Sequence, residues 1–215
     1  MNTVVFFSSA RNIVPPWGGE SRLGDRVLKY VLTTLSKRGE GSIHQKITVY
    51  DPLIVFGEGG ALAHSGAEMK APTFFQSDDD LSEATKAMRE TIKSADSIIV
   101  VSAEYNHSIP PALSSMMGHF GGSCYSCKPS AIVTYSVAPL GGSRAQIALQ
   151  PMLHELGCLP VSKMVAIPTA SETLKEDGTF TDPENRLSSQ LPGMLDQLEW
   201  MANAMKNHRD ANGTF

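Results

Sequence analysis

The stretch SAEYNHSIPPALSS, residues 102–115, gathers a carboxylate (Glu104), a phenol (Tyr105), a carboxamide (Asn106) and an imidazole (His107) in four consecutive positions. It follows directly on the apolar run SIIVV, and the pair Pro110-Pro111 closes it. Proline is tolerated in the first turn of a helix, so the spacing predicts a turn over 103–109 and a helix that opens at the prolines. Such a turn can aim backbone N–H and C=O groups at a planar polar ring, with Tyr105 and His107 flanking it. The plainer alternative is that Tyr105 and Asn106 only stabilise the turn.

Two other segments carry residues of chemical interest. The first, SSARNIVPPWGGES (8–21), supplies Ser9, Arg11 and Ser21, with Arg22 next in the chain. Hydroxyls and guanidinium groups at the start of a helix make an anion site suited to a phosphate dianion. Against this stands the reading in which Ser21 only caps the helix and the arginines are solvated. The second, SVAPLGGSRAQ (136–146), holds Ser136, Gly141, Gly142 and Arg144. The two glycines let a backbone approach a ligand closely, and Ser143 stands where it would cap the next helix. The chain has neither G-x-x-x-x-G-K-[ST] nor G-x-G-x-x-G, so neither a triphosphate P-loop nor the dinucleotide fingerprint is supported. It also has no G-x-S-x-G elbow and no Cys–His dyad by motif.

The elements that must position these loops are read from the apolar pattern. Near-continuous runs at 3–8, 46–50, 97–102 and 130–136, with a weaker fifth at 160–167, suit strands buried on both faces. Between them lie helical stripes: Leu23, Val27, Val31 and Leu35; Leu81, Thr85, Met88 and Ile92; Leu149, Met152, Leu153 and Leu156; Leu187, Leu191, Met194, Leu198 and Met205. Five alternations of strand and helix predict an α/β fold, a doubly wound five-stranded parallel sheet with helices on both faces. Ligands of such sheets bind beyond the carboxyl ends of the strands, where the winding reverses. All three polar loops leave that edge. One anion-seeking loop beside two shaped for a flat ring points to a mononucleotide such as FMN. The long segment 51–77 has the length of a lid or of a solvated excursion.

At 215 residues and 41% hydrophobic, the chain suits one domain, taken here as 1–206, with a frayed tail over 207–215. Its net charge of −4 comes without a basic stripe, which argues against a nucleic-acid partner. No basic leader and no run near the roughly 18 apolar residues of a spanning helix is present, so a cytoplasmic protein without a membrane partner is expected. Three cysteines fit a reducing compartment. Cys124 and Cys127 form a C-x-x-C with no second pair to complete a metal site, and a structural role is expected for them.

The stretch AEYNHSIPPAL resembles the P-E-Y-N-x-S-x-P-x-x-L signature of the NAD(P)H-dependent FMN reductase family. KPSAIVTYSVAPLGGSRAQIALQPMLHELG resembles that family's K-P…G-G-x-R-A segment, and SRLGDRVLKYV its R-x-G-x-x-V-A run. The resemblance spans most of the chain. It implies a flavodoxin-like fold, FMN as cofactor, NADPH or NADH as co-substrate, and a homodimer or homotetramer. The implied acceptors are quinones, free flavins, azo dyes or metal oxyanions, reached by a ping-pong exchange in which the flavin carries the chemistry and no catalytic side chain is needed. Carried over, Ser9, Arg11, Ser21 and Arg22 would hold the phosphate. Glu104, Tyr105, Asn106 and His107 would border the ring on one side, and Ser136, Gly141, Gly142 and Arg144 on the other. The chain departs from the pattern in having SS for G-S in the phosphate loop and a longer spacing from Arg11 to Arg22. It also has SSMMGHF (114–120) in place of K-N…D, which would bring Met116, Met117 and Phe120 near a dimer contact. Two other readings share the fold: an FMN-binding electron carrier without direct NAD(P)H reactivity, and a non-catalytic regulatory protein.

Overall fold

The apolar runs form strands buried on both faces, because side chains without polar alternation leave neither face fit for water. The computed structural model describes residues 1–9, 22–38, 46–63 and 72–214. Its strands are β1 (Asn2–Ser8), β2 (Lys46–Tyr50), β3 (Ser97–Ala103), β4 (Lys128–Tyr135), β5 (Cys158–Pro160) and β6 (Val165–Ile167). They form one parallel sheet in the order β2-β1-β3-β4-β5, with β6 also on β4. That is the flavodoxin-like order of a doubly wound sheet, whose winding reverses between β1 and β3.

Helices cover both faces. The side chains of α1 (Leu23–Ser36) and α8 (Gln190–Asn212) pack on Val5, Phe7 and Ile99 of the sheet. Those of α3 (Glu83–Ser94), α4 (Pro111–Gly118), α5 (Gly122–Tyr125) and α6 (Ser143–Glu155) pack on Val4, Phe6 and Val100. The short α2 (Pro52–Val55) and α7 (Ala170–Thr173) follow β2 and β6. The helical stripes are core: Val27, Val31, Met88, Ile92, Leu149 and Leu198 are all buried.

Several expectations are corrected. The fifth strand is two short ones. After Val161 N–H bonds to Ser130 O (2.8 Å) the chain leaves the sheet, because Lys163 N–H and the Ser162 hydroxyl are engaged by Gln197 of α8 instead of by β4. The first helix has Arg22, not Ser21, at its N-cap, with Asp25 accepting Arg22 N–H (3.2 Å); Ser21 lies outside the described residues. Gly142, not Ser143, holds the N-cap of α6; Ser143 is its first residue, its hydroxyl donating to Leu140 O (2.5 Å). The tail expected to fray belongs to α8 as far as Asn212. Arg209 fixes it to the amino edge of the sheet by donating to Cys127 O (2.6 Å) and Asp96 (2.9 Å).

The described residues of the segment after β2 hold α2 and a turn at Thr73–Phe75, whose Thr73 N–H bonds to His119 O (3.0 Å). Met116, Met117 and Phe120 are fully buried against α3 and the sheet, not at a surface. Cys124, Cys127 and Cys158 are free thiols. Among the described residues, no group of three or more metal-ligating side chains comes together, and no helix is long and apolar enough to cross a membrane.

Candidate functional site

The carboxyl end of β1 is fixed by its neighbours before any loop chemistry begins. Tyr135, the last residue of β4, donates its hydroxyl to Ser8 O (2.9 Å), and Ser9 Oγ accepts the N–H of Gly24 (3.1 Å) in the first turn of α1. A side chain at position 24 would put Cβ 2.2 Å from the Tyr135 hydroxyl and 2.6 Å from Ser9 Cβ. Glycine there lets helix, strand end and loop meet at one point.

Arg22 enters this corner beneath Phe7, its guanidinium 5.1 Å from the ring centre. Nη1 and Nη2 donate to the two oxygens of Asp51 (3.1 and 2.5 Å), and Nε donates to Asp25 (3.0 Å). Burial works against the cation, but the hydrogen bonds it donates to Asp51 and then Asp25 outweigh it and raise the arginine's pKa. Asp51 also caps α2 by accepting Leu53 N–H (3.0 Å). Of the four residues expected to grip a phosphate, Ser9 therefore accepts from the first turn of α1 and Arg22, at its N-cap, is claimed by two carboxylates. Arg11 and Ser21 lie outside the described residues.

The loop after β3 is a two-residue hairpin. Tyr105 and Ser108 exchange both main-chain hydrogen bonds (3.0 and 2.8 Å), with Asn106 at φ +48° and His107 at φ +61°. Two positive φ values are what the type I′ turn demands; asparagine tolerates them and histidine less so. Both side chains are exposed, and among the described residues no group accepts the N–H of either. Tyr105 is half-buried, and burial raises its pKa.

The loop after β4 is held against the sheet. Thr134 Oγ1 donates to Gly141 O (2.9 Å). A Cβ on Gly141 would lie 2.9 Å from the backbone of Ile167, and one on Gly142 2.8 Å from Thr134 Cβ. The close approach these glycines permit is thus first an approach to β4 and β6, at φ +60° and +82°. Ser136 Oγ donates to Ala138 O (2.8 Å), and residues 137–140 are exposed.

Glu104 ties the last two loops together. Its carboxylate, 10% exposed, accepts the N–H of Arg144 (3.1 Å) and its Nη1 (3.3 Å), so it caps the positive end of α6 from another strand's loop. Residues 104 and 144 are forty apart in sequence, and the structure pairs them.

A cavity of about 530 Å³ opens at this edge, with Ser8, Ser9, Leu53, Phe56, Tyr105 and Ser115 in its wall. Ser9 and Tyr105 were expected there. Leu53, Phe56 and Ser115 were not, although Asp51 followed by Pro52 is a helix-start signature that could have brought α2 to attention.

Residues 1–172 match a family described as NADPH-dependent FMN reductase. Subunit CrdA of the NADH:(hydroxy)cinnamate reductase of Vibrio ruber is 34% identical over 85 residues, covering 38% of this chain and 42% of the relative. A quinone reductase of Escherichia coli K12 is 29% identical over 91 residues, covering 41% and 48%. The matched stretches thus take in less than half the length of these curated relatives. The flavoenzyme NAD(P)H:(acceptor) oxidoreductase FerB of Paracoccus denitrificans has the same fold, with a TM-score of 0.63 at 18% identity over 94% of this chain and 99% of that one. Because the family match runs from β1 into α7 and takes in all three polar loops at the strand ends, the chain belongs to the NADPH-dependent FMN reductase family.

Proposed function

We propose that this chain is an FMN-dependent oxidoreductase that passes electrons from NAD(P)H to a quinone or a similar small acceptor. The observation that carries the reading is the cavity at the switch point of the sheet, between the loops of β1 and β3, in a chain of this family. When bound, FMN supplies the hydride acceptance and the electron delivery, and the protein supplies placement.

The residues present fit such a group. Leu53, Phe56, Pro110 and Pro111 offer an apolar wall to a flat ring, and Ser9, Tyr105 and Ser115 offer hydroxyls. The N–H groups of Asn106 and His107, held outward by the I′ turn, are donors for negative charge that builds on a polar ring edge. Glu104 and Arg144 hold the two ring-flanking loops at a fixed spacing. Ser9 stands in the cavity wall at the end of β1, and Arg11 and Ser21 complete the phosphate half of the proposal. Arg22, paired with Asp25 and Asp51, is assigned the corner's architecture.

Donor and acceptor are proposed to use the cavity in turn, which gives ping-pong kinetics, and two copies are proposed to associate over the exposed Ile54, Phe74 and Phe75 beside it. Initial rates with NAD(P)H and a benzoquinone varied together test the order of events. Parallel double-reciprocal lines are expected; intersecting lines would mean that both substrates sit on the protein at once.

A further inference from the structure

Where the chain leaves the sheet between β5 and β6, the lateral edge opens into a cleft of about 520 Å³. Gln146 of α6, Ser162 and Lys163, and Ser189, Gln190 and Gly193 at the start of α8 form its wall. It shares no wall residue with the cavity at the strand ends.

Three observations give it a chemical character. The first is a helix terminus without a counter-charge, entered from a 3-10 turn at Arg186–Ser189 that already accepts Gln190 N–H at Leu187 O. The 23-residue α8 begins here with no acidic residue in its first turn, and Ser189 at its N-cap gives the helix no side-chain hydrogen bond, donating instead to Arg186 O (3.1 Å). The positive end of a helix is stabilised by anions, and none is supplied. The second is a cation in the wrong place for the helix. Lys163 Nζ donates to Gly193 O (3.3 Å), which adds an ammonium charge to the same positive turn. No described residue in the wall is acidic. The third is an orphan donor. Gln146 is 8% exposed, and its buried Nε2 has no acceptor among the described residues. Leaving such a group unpaired forfeits its hydration with nothing in return. Ser162 Oγ accepts from Gln197 Nε2 (2.7 Å), so its own O–H is left to donate. Ammonium, helix terminus, hydroxyl and carboxamide all offer hydrogens or positive charge, and one oxyanion answers them together.

We propose that this cleft binds an oxyanion, the phosphate or carboxylate group of a small metabolite, through Lys163, Ser162, Gln146 and the first turn of α8. The site is separate from the proposed flavin cavity and does not require it.

The test is a titration of the full chain, with FMN in excess so that any cofactor phosphate site is filled, against inorganic phosphate and separately against acetate. Backbone amide shifts of Lys163, Gln190 and Gly193 are followed by NMR. Saturable shifts at these residues are expected. Lys163→Met should weaken phosphate binding roughly tenfold, the scale of one lost charge-assisted hydrogen bond, and Gln146→Leu severalfold. Lys206→Met, on the far turns of α8, should leave it unchanged. Preference for phosphate identifies a phosphorylated ligand and preference for acetate a carboxylate; both support the site. Unsaturable shifts with either anion, or a Lys163→Met variant that binds phosphate as the parent does, would overturn it. Should Gln146→Leu fail to fold, Lys163→Met carries the test, because that side chain lies at the surface.

Discussion

Gly24 and Lys128 show how much of this molecule depends on single atoms. A methyl group on residue 24 would overlap both the Tyr135 hydroxyl and Ser9. Gly24→Ala is therefore expected to cost about 3 kcal/mol, the scale of overpacking against side chains held in place by their neighbours. Tyr135→Phe in the same chain should recover part of that loss, measured as urea midpoints in a double-mutant cycle; no recovery would mean that Ser9 alone sets the limit. Lys128 is buried, and its ammonium reaches the carbonyls of Ile92 (2.8 Å) and Cys124, which closes the ends of α3 and α5. Burial lowers its pKa from 10.5 to about 8. The unfolded chain then binds this proton more tightly, so the lysine's contribution to stability rises as pH goes from about 8 to about 10.5, by about 3 kcal/mol in total. Cys158, raised to about 12 by burial, pulls the opposite way above the thiol range. The difference in stability between the parent and Lys128→Met, followed across that window, isolates the lysine; a flat difference would contradict its lowered pKa.

At the scale of elements, the hairpin after β3 is the one to probe. Histidine at φ +61° carries the strain of the left-handed region, of order 1 kcal/mol, which glycine would not. His107→Gly is expected to hold or slightly raise stability in chemical denaturation while weakening FMN affinity. A large loss of stability would show that the imidazole packs in the fold instead of facing a ligand. Glu104→Ala should loosen two elements at once, since it frees both the hairpin and the start of α6. A loss of about 1–3 kcal/mol is expected from the charge-assisted bonds to Arg144, discounted toward the low end because Arg144 is 42% exposed. These elements differ in how far the sequence disclosed them. The turn over 103–109 was legible, because strand, polar cluster and double proline are consecutive. The Glu104–Arg144 bond was not, because it crosses between loops that only the sheet brings together. The break between β5 and β6 was hidden for a similar reason: Ser162 and Lys163 leave the sheet for Gln197, a partner thirty-five residues from Ser162. The N-cap of α1 was misread because Ser21 is the better capping side chain by type, while Asp25, reaching back to Arg22, settled the start.

At the scale of the whole molecule, five apolar runs were enough to read a doubly wound sheet, and the order β2-β1-β3-β4-β5 places the three polar loops at one edge. The cavity itself could not be read, because half of its wall comes from α2 and α4, whose Leu53, Phe56 and Ser115 carry no chemical signature. The same applies to the exposed Phe75, 75% accessible beside that region. Phe75→Asp is expected to leave the fold intact and to shift the chain toward monomer in sedimentation velocity; an unchanged distribution would remove this surface from the proposed contact. The most direct measurement on the central claim is the visible absorbance of the FMN-loaded chain under anaerobic conditions, followed while NADH or NADPH and then a benzoquinone are added. The account predicts a flavin spectrum bleached by at least one nucleotide and restored by the quinone. A chain that takes up no FMN, or whose bound flavin neither nucleotide bleaches, would contradict it.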